Sequence, residues 1–232
     1  MRQKLILIFL ILILVFSSVA IAKDKVDRKD KLTTLQSKLT KVTNPGKKVE
    51  ILKELGRLYH QEAALGNEKA VPKAIKSLKK AKNIKNTPTI RAWYGSALTL
   101  KGRYAFALGK IYYSKKGIKI LDQAVKASPN NIETRLVRGV NSLYLPDFIF
   151  HRLDLAKKDL NYIIKTANKH PQKVRDGQLV TAYLNLGKYY QKKEKFKLAI
   201  EAWEEVISFD VNQTQSERAK KYIKELQTTS ED

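Results

Sequence analysis

Apolar residues along this chain recur mainly at intervals of three and four, as on one face of a helix, and no convincing alternation of the β type is present. One such stripe contains Leu32, Leu35, Leu39 and Val42. It predicts a helix from about Asp27 to Thr43. Asn44, Pro45 and Gly46 then end that helix, and Pro45 suits the first turn of the next one. We therefore predict an all-α fold.

Three further breaks divide the rest of the chain into predicted helices. They are the Pro-containing segments TPT at 87–89, SPNN at 128–131 and HPQK at 170–173. Near the carboxyl end, Thr214 and Glu217 have the spacing of a capping box. This pair predicts a last helix that begins at Thr214 and runs to about Leu226.

One arrangement of small and large residues recurs four times between these breaks. A small residue is followed four positions later by a large apolar one, and seven positions later by a residue that is small or apolar. The four copies are Ala74, Leu78 and Ala81; Gly117, Leu121 and Ala124; Ala156, Leu160 and Ile163; and Ala199, Trp203 and Val206. Each copy begins 39 to 43 residues after the previous one. A predicted helix with a central glycine precedes every copy; these glycines are Gly56, Gly95, Gly139 and Gly187.

The spacing gives this repeat a physical meaning. Residues four and seven apart lie on one face of a helix, so each copy presents a large side chain between two positions that are mostly small. A glycine on the partner helix lets the two backbones approach closely. Stacked helix pairs then bury a continuous core that no single pair could bury alone.

The repeat resembles the tetratricopeptide repeat (TPR), whose pattern is W-x2-L-G-x2-Y followed by A-x3-F. The last copy fits best, with Tyr183, Leu186, Gly187, Tyr190, Ala199 and Trp203. The resemblance covers about residues 47–213 and implies a right-handed α-solenoid of about four helix hairpins. Residues 23–46 are then an N-terminal helix, and residues 214–232 are a capping helix with an acidic tail. Because such repeats serve many unrelated partners, the resemblance implies a non-enzymatic scaffold or adaptor that binds proteins.

The copies are longer than the family repeat of about 34 residues, because successive central glycines are 39 to 48 residues apart. The extra residues are predicted to lengthen the turns within the first three hairpins. The second and third inserts carry aromatic residues, namely Tyr104, Phe106, Tyr112, Tyr113, Phe148 and Phe150. Two interpretations stay open: these rings lengthen helices and widen the core, or they form an apolar lip for a partner or a membrane surface.

In TPR proteins the first helix of each repeat lines a concave groove. Carried over to this chain, the resemblance marks Lys53, Arg57 and His60 in the first copy, and Lys188 and Gln191 in the last. The middle copies can be aligned in either of two registers. Such a groove favours an acidic peptide or a C-terminal carboxylate, and the other interpretation is that these are ordinary solvated residues. The lysine-plus-asparagine set of the family's carboxylate clamps is missing, so capture of chaperone tails is not expected.

The first 22 residues have the features of a secretory signal peptide. A positive start precedes an apolar run from Leu5 to Phe16, and Ala20 and Ala22 have the spacing of a cleavage site. The rival interpretation is an uncleaved anchor, because residues 5–22 carry no charge over 18 positions. Both interpretations put the rest of the chain outside the cytoplasm, in a periplasmic or secreted location of bacterial type.

The formal net charge of +24 changes the expected partners. Residues 23–200 contain 40 Lys and Arg against 14 Asp and Glu, whereas residues 201–232 contain 4 against 8. A body this basic is attracted to acidic peptides, anionic lipid headgroups or cell-wall polymer, and export argues against nucleic acid. An electrostatic binder of lipid headgroups or cell-wall polymer is therefore the alternative to the scaffold. Lysine supplies 36 of the 46 basic residues, which is typical of a solvated helical surface.

No group of residues has the spacing of a catalytic or metal site. His60, His151 and His170 fall in different copies, and no G-x-S-x-G motif or phosphate-binding glycine loop occurs. Without cysteine the chain has neither disulfides nor thiol chemistry. We expect no catalytic activity, no metal site and no cofactor.

Overall fold

The computed structural model describes residues 24–209 and 213–229. Over these residues every regular element is helical and no strand is present, which confirms the predicted all-α class. None of these helices is both long enough and apolar enough to cross a bilayer. The predicted signal peptide or anchor at 1–22 lies outside the described residues, as does the end of the acidic tail.

Eleven helices follow one another along the described part of the chain. The first, α1, spans 24–41, close to the predicted helix. The others are α2 (Pro45–Ala64), α3 (Ala70–Ile84), α4 (Pro88–Tyr104), α5 (Ala107–Ala127), α6 (Ile132–Tyr144), α7 (Asp147–Phe150), α8 (Leu153–Lys169), α9 (Asp176–Lys192), α10 (Phe196–Ser208) and α11 (Gln213–Thr229). A 3-10 turn at Pro171–Lys173 connects α8 to α9.

Capping side chains set the start of three helices at the predicted breaks. Asn44, Thr87 and Asn131 each accept a hydrogen bond from the backbone N–H three residues later, at 3.0, 3.2 and 2.9 Å. These bonds satisfy N–H groups that a helix leaves without an internal partner at its start. At α11 the prediction is wrong by a residue, because the helix already includes Gln213 and Thr214 lies inside it.

Consecutive helices pack as hairpins, α2 with α3, α4 with α5, α6 with α8, and α9 with α10. Each hairpin also packs against the next one, and α11 packs against α10 and α9. The first helices α2, α4, α6 and α9 contact one another in that order. The large residues of the recurring arrangement are fully buried; they are Leu78, Leu121, Leu160 and Trp203. The core therefore runs from hairpin to hairpin along the chain.

Small residues lie where the two helices of a hairpin cross. A Cβ on Gly117 would lie 2.4 Å from the carbonyl oxygen of Gly95, and a Cβ on Gly95 would lie 2.8 Å from that of Gly117. A Cβ on Gly187 would lie 2.2 Å from Nε1 of Trp203. At Gly95 and Gly117 the nearest atoms belong to the backbone, so a side chain there would force the helices apart, whereas at Gly187 it would displace the Trp203 ring. Other small residues at the crossings are Gly56, Gly139, Ala74, Ala81, Ala124, Ala156 and Ala199.

The extra residues of the second hairpin form helix, so the predicted long turn is wrong there, whereas eight residues, 145–152, connect the two main helices of the third hairpin, as predicted. Only Ala105 and Phe106 separate α4 from α5, and the connection from α6 to α8 contains α7. Tyr104 packs inward, and its hydroxyl donates to the carbonyl oxygen of Ala63 at 2.7 Å. Phe106 and Phe148, in contrast, are 94% and 82% exposed. The inserts therefore lengthen helices without adding all their rings to the core.

One residue with a positive φ lies in each turn within a hairpin or, in the second hairpin, directly after the turn. These residues are Gly66 at 106°, Ala107 at 37°, His151 at 50° and Glu194 at 56°. The same local bend thus recurs in all four hairpins. The sequence does not reveal this recurrence, because only the first turn uses glycine, the residue that adopts a positive φ without steric cost.

Candidate binding cleft

A cleft of about 360 Å³ opens between α1, α2, α6 and the segment that leads into α9. We call it the α2 cleft. Its lining residues are Leu35, Glu50, Ile51, Lys53, Glu54, Arg57, Glu133 and Arg175. Helices α2 and α6 both reach this cleft although the second hairpin separates them along the chain.

Trp93 of α4 lies between the helices that line the α2 cleft. Its indole Nε1 donates a hydrogen bond of 2.8 Å to Oε1 of Glu133 on α6. The Arg57 guanidinium of α2 lies 5.2 Å from the centre of the Trp93 ring, within the range of a cation–π contact. The ring of His60 meets the Trp93 ring edge-on, with 5.3 Å between their centres. One tryptophan thus connects the first helices of three successive hairpins.

Acidic and basic side chains alternate around the α2 cleft. Glu54 accepts hydrogen bonds from Lys31 at 2.6 Å and from Arg57 at 2.9 Å. Glu133 lies 3.9 Å from Nε of Arg57 and 3.8 Å from Nη2 of Arg175. The cleft is therefore locally balanced in charge. The sequence prediction of a basic lining described only half of this pattern.

Burial and neighbouring charges decide the protonation of His60 and Glu54. Burial first, and then the positive charge of Arg57, lower the pKa of His60 to about 4. His60 is therefore neutral near pH 7, and its Nε2 lies 2.8 Å from Oγ of Ser96. Burial by itself would raise the pKa of Glu54, but the hydrogen bond from Lys31 and the charges of nearby cations outweigh burial and lower this pKa. Glu54 is therefore an ionised carboxylate at neutral pH.

The predicted groove residues fall into two separate sets. Lys53 and Arg57 line the α2 cleft, and His60 lies beside it against the Trp93 ring. On α9, Lys188 donates to Oε1 of Gln191 at 3.0 Å, and its Nζ lies 3.2 Å from the ring centre of Tyr222 on α11. Burial lowers the pKa of Lys188. Helix α11 thus covers the surface at Lys188 that the resemblance assigned to a partner.

Sequence reasoning missed Glu133 and Arg175 in the lining of the cleft and Trp93 beside it. A signal for Trp93 was available, because it is one of two tryptophans and precedes the central glycine Gly95 by two positions. No comparable signal marks Glu133 or Arg175. Which residue of a later hairpin reaches α2 depends on how the hairpins stack, and the spacing of apolar residues does not determine that.

The α2 cleft offers ion-pairing groups, and two of them, Arg57 and Glu133, are held by the Trp93 ring beside it. Across residues 24–209 and 213–229, no group of three or more His, Asp or Glu side chains could hold a metal ion. The charged groups of the lining can recognise a ligand by ion pairing. No protein-family model, curated protein or solved structure matches this chain.

Proposed function

We propose that the chain is a non-enzymatic scaffold whose TPR-like hairpins form a right-handed α-solenoid and hold a protein partner in the α2 cleft. The main support is the meeting of Arg57, Trp93 and Glu133, which belong to the first helices of three successive hairpins. A surface that spans several repeats suits an extended segment of a partner. The features of residues 1–22 favour a location outside the cytoplasm, and we propose a role in assembly of the cell envelope.

The alternating charges favour a partner segment that carries both signs. The side chains of Arg57 and Arg175 are 37% and 70% exposed, so a carboxylate of the partner can bind between them. The side chain of Glu50 is 66% exposed and can pair with a lysine or arginine of the partner. A carboxylate next to a basic residue therefore fits this cleft better than a wholly acidic peptide, because Glu54 and Glu133 would repel the latter.

Photo-crosslinking in intact cells tests this proposal. A photoreactive amino acid is placed at Lys53, which lines the cleft, and in a matched variant at Lys79, which is exposed on α3. We expect a discrete protein adduct from position 53 and none from position 79. Adding Arg175→Gln, at a lining position whose side chain is 70% exposed, should weaken the adduct while thermal stability is retained. Equal adducts from both positions, or none from either, would contradict the proposal.

The alternative is an electrostatic binder of anionic lipid headgroups or cell-wall polymer. Exposed lysines on α3 support it, namely Lys73, Lys76, Lys79 and Lys80. Co-sedimentation with vesicles or wall polymer separates the two functions. Binding that disappears by about 0.3 M salt and is unchanged by Arg57→Glu would favour the alternative, because exposed charges are screened at that ionic strength.

A further inference from the structure

Helices α2 and α4 run parallel, side by side. His60, in the last third of α2, contacts Ser96 near the middle of α4 at 2.8 Å. Nearer their carboxyl ends, the Tyr104 hydroxyl donates to the carbonyl oxygen of Ala63 at 2.7 Å. Since the contacts advance in the same direction along both helices, α2 and α4 end on the same side of the molecule.

Helix α6 repeats this direction. Trp93 bonds Glu133 near the starts of α4 and α6, and Asn141 donates to Oγ of Ser96 at 3.3 Å further along both helices. The turns that follow α2, α4 and α6 therefore lie on one side.

The fourth hairpin and α1 complete this side. The Tyr189 hydroxyl near the end of α9 donates to Asp154 near the start of α8 at 3.2 Å, so α9 also runs antiparallel to α8. The start of α1 lies there as well, because Arg28 pairs with Glu62 near the end of α2 at 2.9 Å. We call this side the turn edge; its turns are 65–69, 105–106, 145–152 and 193–195.

Exposed apolar side chains concentrate on the turn edge. The described residues expose eleven large apolar side chains, and ten of them lie in these turns, within two helical turns of them, or at the start of α1. The ten are Val26, Leu65, Phe106, Leu108, Tyr112, Tyr144, Phe148, Ile149, Phe196 and Leu198. The eleventh, Ile84, lies at the end of α3 on the opposite side. The connections on that opposite side are largely polar, as in 85–87 and 128–131.

Cations flank the apolar side chains of the second and fourth turns, whereas Asp24 and Asp27 lie beside Val26 at the start of α1. No acidic residue occurs in 101–110, where Lys101, Arg103 and Lys110 flank Phe106. Four lysines occur in 192–198 with one glutamate. Interspersed cations and protruding apolar rings are the features of proteins that bind at the interface of an anionic bilayer.

The third turn continues this surface. Ile149 and Phe150 share one cleft with Lys115 and Lys119 of α5, so α7 lies beside the second hairpin. The Asp147 carboxylate accepts hydrogen bonds from the backbone N–H groups of residues 152 and 153, at 2.8 and 3.0 Å. Its charge is therefore partly satisfied within the turn.

We infer that the turn edge docks the folded body onto the surface of an anionic bilayer, with Phe106, Leu108 and Phe148 inserted among the lipid headgroups. Leu108 is 86% exposed, as free of the core as the two rings. The uncharged residues 5–22 precede α1, which begins at this same edge, so a tether at that point would hold the edge against the membrane. This inference is independent of the proposed protein partner, because the residues of the α2 cleft are not among the inserted ones.

Single-site fluorescent labelling of the full chain tests the inference directly, because the chain has no cysteine. Phe106→Cys and Phe148→Cys each receive an NBD label, and Ile84→Cys on the opposite side is the matched control. With vesicles of mixed phosphatidylglycerol and phosphatidylcholine, we expect a blue shift at 106 and 148. Lipids brominated in their acyl chains should quench both labels. The label at 84 should show neither effect.

Salt and lipid composition separate insertion from other contacts. The blue shift should persist at about 0.3 M salt, because apolar insertion is not screened. With vesicles of phosphatidylcholine alone, the lipid concentration that gives half of the blue shift should be at least about fivefold higher. Each lysine or arginine near an anionic surface strengthens binding by roughly that factor.

Three results would overturn the inference. One is that the labels at 106 and 148 keep the emission of an aqueous environment while the chain is bound to vesicles. Another is that the label at 84 shifts as much as they do, or that both kinds of vesicle give the shift at the same lipid concentration. The third is a shift that needs no vesicles and grows with protein concentration, which would identify a second copy of the chain as the occupant.

Discussion

Arg138 holds the fully buried carboxylate of Asp159 through two hydrogen bonds, from Nε to Oδ2 at 2.7 Å and from Nη2 to Oδ1 at 2.9 Å. Arg135 donates a third bond to Oδ1 at 2.7 Å. Burial would lower the pKa of Arg138, but its hydrogen bond to Asp159 and the charges of nearby carboxylates outweigh burial and raise it. These contacts join α6 to α8, so a polar cluster supplements apolar packing in the third hairpin.

Asp159→Ala should lower the free energy of unfolding by about 3–5 kcal/mol, because it leaves Arg135 and Arg138 without their buried counter-charge. Urea denaturation followed by circular dichroism measures the loss. The matched control is Lys158→Ala, at the exposed neighbouring position on α8, which should change stability by less than about 0.5 kcal/mol. A loss at Asp159 as small as at Lys158 would show that the two arginines find other partners or water.

The buried Asp159 shows where sequence reasoning stops. The spacing of apolar and small residues predicted the helices, their pairing partners and the buried positions Leu160 and Trp203, because that spacing reflects packing on one helical face. Asp159 interrupts no periodicity and looks like a surface residue in the sequence. Its burial depends on two arginines that lie 21 and 24 residues earlier on another helix.

The α2 cleft was predictable only in part for a similar reason. The resemblance marked Lys53 and Arg57, which do line it. The acidic partner Glu133 lies two hairpins away along the chain, and the register of the middle copies was ambiguous. Helix direction and stacking must be known before such a pair can be assigned, and neither is encoded in a local pattern.

Because Gly95 and Gly117 are in close contact, we expect replacement of Gly117 by alanine to lower the free energy of unfolding, although alanine favours helix. Alanine has the better intrinsic helix propensity, by about 1 kcal/mol. Gly117→Ala should nevertheless destabilise the protein by at least about 2 kcal/mol, because the new methyl group would meet backbone atoms that cannot rotate away. Thermal unfolding with calorimetry measures the change.

Gly177 in the first turn of α9 provides the matched control. A Cβ there would meet no atom within 4 Å, so Gly177→Ala should stabilise the chain by about 0.4–1 kcal/mol. We therefore expect Gly117→Ala to lower stability and Gly177→Ala to raise it. Stabilisation by both would mean that the hairpin can open at Gly117 without loss of packing.

His60 should make stability depend on pH in a defined window. Its pKa is about 4 in the folded protein and near 6.5 in an unfolded chain, so the unfolded state binds more protons between these values. The free energy of unfolding should therefore be unaffected by His60 above about pH 6.5 and fall by up to about 3 kcal/mol as the pH decreases toward 4. Denaturation series from pH 7.5 to about pH 5 cover the part of this window above the range where carboxylates titrate.

His60→Gln separates this effect from other titrations. Glutamine can still hydrogen-bond Ser96 but cannot be protonated, so the decline between about pH 6.5 and 5 should disappear. His170→Gln, at an exposed position, is the matched control and should leave the decline unchanged. An unaltered pH profile in His60→Gln would contradict the lowered pKa.

Tyr222 of α11 covers Trp203, with 5.2 Å between their ring centres, and also meets Lys188. If α11 caps the last hairpin, Tyr222→Ala should admit water beside Trp203 and shift its fluorescence to longer wavelength. A Trp93→Phe background isolates this signal, because the chain has two tryptophans. Stability should fall by about 1–3 kcal/mol, whereas Lys221→Ala, at an exposed neighbouring position, should change neither quantity. Unchanged emission in Tyr222→Ala would mean that α9 and α10 alone shield Trp203 from water.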